Sequence, residues 1–184
     1  MKKTMLLGCA LLLALSVMAP MATAQTRLAV EAGALLPTGG FSDNFDASPW
    51  FGARVEYQPS NPLGQVANLG LYVRGAYSDL QPSSALDQLV SLANGNNSMS
   101  YVEGGVGARV YSIALPFFLA AEANYGRVDN GIDTTNAFSP ALGLGLNFGL
   151  AGVFVEAEAR GHAFMANGDT QNFLTFNVAA GLPF

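Results

Sequence analysis

The sequence predicts an all-β protein, an eight-stranded antiparallel up-and-down transmembrane β-barrel preceded by a cleaved signal peptide. Three observations carry this. The stretch Phe173 to Phe184 alternates strictly, with Leu174, Phe176, Val178, Ala180, Leu182 and Phe184 on one face and Thr175, Asn177, Ala179 and Gly181 among the interleaved set. That is the period of a strand with one oily side. Further segments upstream, each about ten residues long, repeat the alternation, and strands of that length cross an apolar band roughly 25 Å tall when tilted. Finally, the acids are sorted by type. All seven aspartates (Asp43, Asp46, Asp79, Asp87, Asp129, Asp133 and Asp169) fall in expected outer loops, and all six glutamates (Glu31, Glu56, Glu103, Glu122, Glu156 and Glu158) fall on polar strand faces.

Composition sets the limits. The chain has 184 residues, a one-domain length; 51% are hydrophobic and only 11% charged, with 21 glycines, an unusual balance for a soluble domain. Lys2 and Lys3 are the only lysines, and both belong to the leader. The mature part keeps six arginines against 13 acids, a net charge of −7. Nucleic acid is therefore not an expected partner, because phosphate binding draws on Lys and Arg.

The amino end reads as a secretory signal over residues 1–24, with Lys2-Lys3, an apolar run from Met5 to Met18, Pro20, and the small-residue site Ala22-Thr23-Ala24 before Gln25. Leu6-Leu7-Gly8-Cys9 has the look of a lipoprotein box, but too little apolar sequence precedes it. Cys9 is the only cysteine, so the mature chain, residues 25–184, has none. No later apolar run reaches the roughly 20 residues of a membrane helix. A membrane could be crossed only with strands.

In order, the first expected strand runs from Arg27 to Leu36, with Leu28, Val30, Ala32, Ala34 and Leu36 opposite Glu31, and Pro37-Thr38-Gly39-Gly40 stops it. The second, Trp50 to Tyr57, sets Phe51, Ala53, Val55 and Tyr57 against Gly52, Arg54 and Glu56. Leu69 to Tyr77 sets Leu71, Val73 and Tyr77 against Tyr72 and Arg74. The connection Asp79 to Ser100 carries an expected short helix from Ser84 to Asn94, whose Leu86, Leu89, Val90 and Ala93 share a face that would fold over the barrel mouth or rest on the outer leaflet. Tyr101 to Tyr111 alternates Val102, Val106, Ala108 and Val110 with Glu103, Gly105, Gly107 and Arg109. Phe117 to Arg127, Phe138 to Phe148 and Val153 to Phe164 repeat the pattern, the last with Glu156, Glu158, Arg160 and His162 on its polar side.

Connections are expected to be long after strands one, three, five and seven and short after the others, apart from Gln58 to Asn68. Apolar-face aromatics form two levels, Phe51, Tyr77, Tyr125 and Phe138 at the outer ends and Tyr57, Phe117, Phe148 and Phe184 at the inner ends, as at two membrane interfaces. A soluble lipocalin-like barrel would turn the apolar face inward. Its outer surface would be expected to use lysine, whereas these polar faces are Gly-rich with only Arg and Glu.

The mature chain, with Leu36-Pro37-Thr38-Gly39-Gly40-Phe41-Ser42 opening its first loop and Phe184 at its end, resembles the small outer-membrane barrel domains of the OmpA/OmpX and opacity types. That resemblance implies a place in the outer membrane of a Gram-negative bacterium, contact with its lipid and lipopolysaccharide, and Phe184 as a signal read by the barrel-assembly machinery. No peptidoglycan-binding segment follows the last strand in this sequence, a departure from full-length OmpA.

Chemistry is sparse. His162 is the only histidine, and where families of outer-membrane deacylases place a Ser two residues later this chain has Phe164; Ser139 or Ser98 could approach only through loop geometry. An enzyme is not expected, nor is a cofactor. The clusters Gly104-Gly105-Val106-Gly107 and Gly143-Leu144-Gly145 lie inside strands and read as close packing rather than phosphate cradles. Asp129, Asn130 and Asp133 offer oxygen ligands without Ca²⁺-loop spacing, so no metal site is assigned. The polar faces instead supply a lumen charge network of Glu31, Arg54, Glu56, Arg74, Glu103, Arg109, Glu122, Glu156, Glu158 and Arg160, six acids against four bases, with His162 as a further partner near the rim. The expected role is a structural or surface-interaction barrel with acidic outer loops, a closed lumen and room for an extracellular partner at the loops. The alternative is a narrow, porin-like channel or transporter for ions or small apolar solutes.

Overall fold

In the computed structural model, residues 25–59, 63, 67–84, 87–88, 92, 99–129, 133–150, 152–166 and 168–184 are described. Eight long strands follow one another: β1 (Gln25–Thr38), β2 (Ser48–Gln58), β3 (Ala67–Pro82), β4 (Met99–Ser112), β5 (Phe117–Asp129), β6 (Thr134–Leu150), β7 (Val153–Ala166) and β8 (Asp169–Pro183). Each pairs antiparallel with the next, and β8 returns to β1. The sheet therefore has no open edge, which is what a strand protein needs in lipid, where an unpaired backbone group finds no water.

The register fixes the barrel's dimensions. Paired residues followed around the ring run Arg27, Glu56, Tyr72, Gly107, Glu122, Ala141, His162, Phe173 and back to β1 at Pro37. The path closes ten residues beyond its start, a shear of ten. With strands about 4.8 Å apart and residues about 3.3 Å apart, that shear tilts the strands by about 40° and gives a backbone radius of about 8 Å. Side chains fill such an interior.

The two faces separate as the alternation predicts. Val30, Val73, Val106, Leu119, Leu142, Leu144 and Val178 stand on the outside, and Leu142 is 72% exposed. The polar set points inward and is buried. In water so continuous an exposed apolar surface would far exceed the few hundred Å² usual on a soluble monomer. Aromatics border it at both ends: Phe51 pairs with Tyr77 and Tyr125 with Phe138 toward the loops, while Phe117, Phe148 and Phe184 are exposed toward the turns.

Two expectations need correction. Connections after strands five and seven are not long, because β5 and β6 continue as a hairpin to Asp129 and Thr134, and β7 and β8 to Ala166 and Asp169. Once a ladder leaves the apolar band it still satisfies its backbone, and its side chains need no apolar pattern, so polar sequence there does not mark the strand end. Asp79, Asp129 and Asp169 accordingly sit on strand ends rather than in loops. The first loop is also structured: Gly39–Phe41 forms a 3₁₀ turn, and Phe45–Asp46 pairs with Gln81 and Pro82. The expected helical face of Leu86, Leu89, Val90 and Ala93 lies outside the described residues.

Gly105 and Gly107 show what the in-strand glycines do. A Cβ on Gly105 would lie 1.8 Å from Asn124 Oδ1 and 2.6 Å from the Ala123 carbonyl, and one on Gly107 would lie 2.4 Å from Tyr72 Cζ. Both are positions where a tightly curved strand leaves no room for a side chain.

Placing a charge on the outer face should separate belt from rim. Val106→Arg, in mid-belt, is expected to lower stability in lipid bilayers by about 2–4 kcal/mol, and Thr170→Arg, at the loop end of β8, by about 0–1 kcal/mol. Urea-induced unfolding of the two variants in vesicles checks this.

Candidate functional site

The barrel interior is the one place where functional groups converge among the described residues, and it is built in three layers. Next to the loops lies an apolar plug. Leu35, Phe41, Phe45, Trp50, Leu80, Met99, Tyr101, Phe164 and Phe173 form one buried cluster there. Trp50 stacks on Tyr101 with ring centroids 5.9 Å apart, and Phe173 stands edge-on to Tyr101 at 5.4 Å. The 3₁₀ turn after β1 carries Phe41 down onto Phe173 and Phe45.

Below the plug lies the charged layer. All ten residues of the sequence-derived network are buried inside the barrel, and each takes part in at least one ion pair. Arg54 reaches Glu31 at 2.6 Å and Glu156 at 2.5 Å, and Arg109 reaches the same Glu156 oxygen at 2.6 Å and also pairs with Glu158. Arg160 bridges Glu158 and Glu122, each at 2.8 Å, and Arg74 joins Glu122 to Glu103. Guanidiniums and carboxylates thus alternate around the lumen, each fork serving two or three acids.

The expected charge balance is off by one. Arg27 also points inward, 3.4 Å from Glu156 and 3.6 Å from Glu56, so five bases face six acids rather than four. The surplus is met by neutral donors. Tyr72 donates to Glu122 at 2.9 Å, Tyr101 to Glu103 at 2.7 Å, Tyr111 to Glu56 at 2.8 Å and Asn147 to Glu156 at 2.8 Å. A signal for these was present: Arg27 shares parity with Glu31, Tyr101 with Glu103, and Tyr111 with Arg109. Each lies at the end of its alternation, where the pattern is easily cut short.

His162 marks the boundary between the two layers. Its ring lies flat against Phe173, 4.3 Å between centroids at 12°, with Nε2 3.2 Å from Thr175 Oγ1 and Nδ1 3.7 Å from Glu103. Ser139 is fully buried, and Ser98 lies outside the described residues. At the loop end, Asp133 accepts a hydrogen bond from the Thr134 amide at 2.7 Å; Asn130 is not among the described residues. Phe184 is exposed on the outer face, its backbone exchanging hydrogen bonds of 2.7 and 3.3 Å with Thr26.

Beneath the charges, at the turn end, the lumen opens into a vestibule of about 390 Å³. Closed ring, shear of ten, apolar exterior and charged interior together decide the architecture. The fold is that of the small eight-stranded outer-membrane barrels. Neisserial surface protein A superposes with a TM-score of 0.59 at 12% identity, covering 86% of this chain and 97% of that one. A major outer membrane protein from Thermus thermophilus gives 0.51 at 12%, covering 86% and 99%. Ail, the attachment invasion locus protein of Yersinia pestis, gives 0.51 at 14%, covering 88% and 99%. No family model matches the chain, and no curated relative does.

Removing one guanidinium should cost most where an acid has no second one. Glu103 pairs with no other arginine than Arg74 among the described residues, whereas both acids held by Arg109 keep another arginine. Arg74→Ala is expected to lower stability by about 3–5 kcal/mol and Arg109→Ala by less, with Arg74→Ala/Glu103→Gln recovering part of the loss. Thermal or urea unfolding in the same detergent ranks the three.

Proposed function

We propose that the protein is a structural or surface-interaction barrel of the outer membrane, with a closed lumen and its aspartate-rich end outside the cell. The observation that carries this is the pairing of an apolar outer belt with an ion-paired interior under an aromatic plug. The belt suits lipid. The interior leaves little for a solute to follow, since charges already bonded to each other in low dielectric would have to be separated to let an ion pass. No catalytic role is proposed. His162 is held by Thr175 and Phe173 beneath the plug, away from any substrate approaching from either mouth.

Loops would then carry recognition outside the cell. Ail was solved in complex with the heparin analogue sucrose octasulfate, a polyanion. The loop end of this chain carries seven aspartates and a single arginine, Arg127. Its charge would repel such a ligand, so a cationic partner, or lipopolysaccharide bridged by divalent cations, fits better. The signal peptide would be removed after Ala24, and Phe184 would serve the assembly machinery, as the resemblance implies.

Fractionation and a detergent gel test the placement. The protein is expected in the outer-membrane fraction, with a mature amino terminus at Gln25 and faster migration before boiling than after. In planar bilayers it should show no steady conductance. Recovery as a soluble periplasmic protein would overturn the membrane placement, and large stable single-channel currents would overturn the closed lumen.

A further inference from the structure

We propose that the vestibule at the turn end is a binding site for a small organic monocarboxylate bearing hydroxyl or amide groups, with Arg27 as its anchor. Five arginines face the lumen, and four of them each donate two hydrogen bonds to carboxylates. Arg27 is the exception. Its nearest carboxylate oxygens lie 3.4 and 3.6 Å away, on Glu156 and Glu56, and its guanidinium makes no hydrogen bond to any described residue, although those distances still give it Coulombic attraction.

Those two glutamates do not depend on Arg27. Glu56 accepts from Tyr111 at 2.8 Å and from Gln58 at 2.6 Å. Glu156 accepts from Arg54, Arg109 and Asn147. The guanidinium itself is held in place from the side, with its Cζ 3.6 Å from the centre of the Phe154 ring and 5.3 Å from that of Tyr111. Stacking of this kind orients the plane and leaves the edge donors for a partner.

The cavity fits a ligand of that chemistry. Its volume of about 390 Å³ lies in the range of small-molecule sites. Gln58 and Asn147 each donate one N–H to a glutamate, and their amide oxygens stay available as acceptors on the wall beside Gln25 and Asn68. A carboxylate on Arg27 with hydroxyl or N–H groups reaching those oxygens would satisfy both. With Glu56 and Glu156 beneath, a second negative charge would be disfavoured, which limits the ligand to one.

The full chain in detergent micelles can be titrated with N-acetylalanine and with its neutral amide while backbone NMR signals of Phe154, Asn147 and Gln25 are followed. The carboxylate is expected to give saturable shifts at millimolar concentration or below, with the amide at least roughly tenfold weaker. Arg27→Gln should weaken carboxylate binding to the level of the amide. A second variant protects the test from misfolding. Gly149 lines the vestibule with open space where a Cβ would stand, so Gly149→Trp should block the cavity while leaving every ion pair intact. Absence of saturation, equal binding of acid and amide, or binding unchanged by Gly149→Trp would overturn the proposal.

Discussion

Closure of eight strands at a shear of ten is the constraint from which the other features follow. It sets a radius at which the inward side chains of the plug and the charged layer meet their counterparts across the axis, so that part of the interior is filled with groups that bind one another. The plug does this with aromatic rings and the middle layer with alternating guanidiniums and carboxylates. The exterior has the opposite requirement, because the hydrogen-bonded ring has spent its backbone polarity and only apolar side chains remain to meet lipid.

Buried ion pairs are weak evidence for stability, since desolvation offsets much of their attraction. Their value here lies in specificity. Arg54 and Glu156 are 102 residues apart, and Tyr111 and Glu56 are 55 apart. A one-residue slip of any strand would turn its charges toward lipid, and a two-residue slip would keep the faces but separate these partners. The network therefore selects one register out of those that the apolar pattern alone would tolerate.

Much of this was legible in the sequence. Period-two alternation revealed all eight strands and which side of each is polar, because lipid enforces an apolar outer face over a fixed height. What escaped were features that lie beyond that height or require knowledge of the shear. The hairpin extensions at Asp129 and Ala166 carry no apolar signature. Trp50 and Phe173, both read as ordinary strand residues, became the centre of the plug because the inner face changes from charged to aromatic with depth, which a two-letter alternation does not record. Which arginine meets which glutamate depends on the ring of paired residues, and no local window contains it.

The absence of lysine after Lys3 has a consequence for proteolysis. Beyond Lys3, trypsin could act only at six arginines, and Arg27, Arg54, Arg74, Arg109 and Arg160 all lie buried inside the barrel. Arg127, on the exposed face of β5 near the loop end, is the remaining site, and even it is held in a hydrogen-bonded ladder opposite Asn136. The folded chain thus shields nearly all of its own cleavage points, while the unfolded chain exposes every one, so tryptic digestion distinguishes the assembled barrel from its precursor.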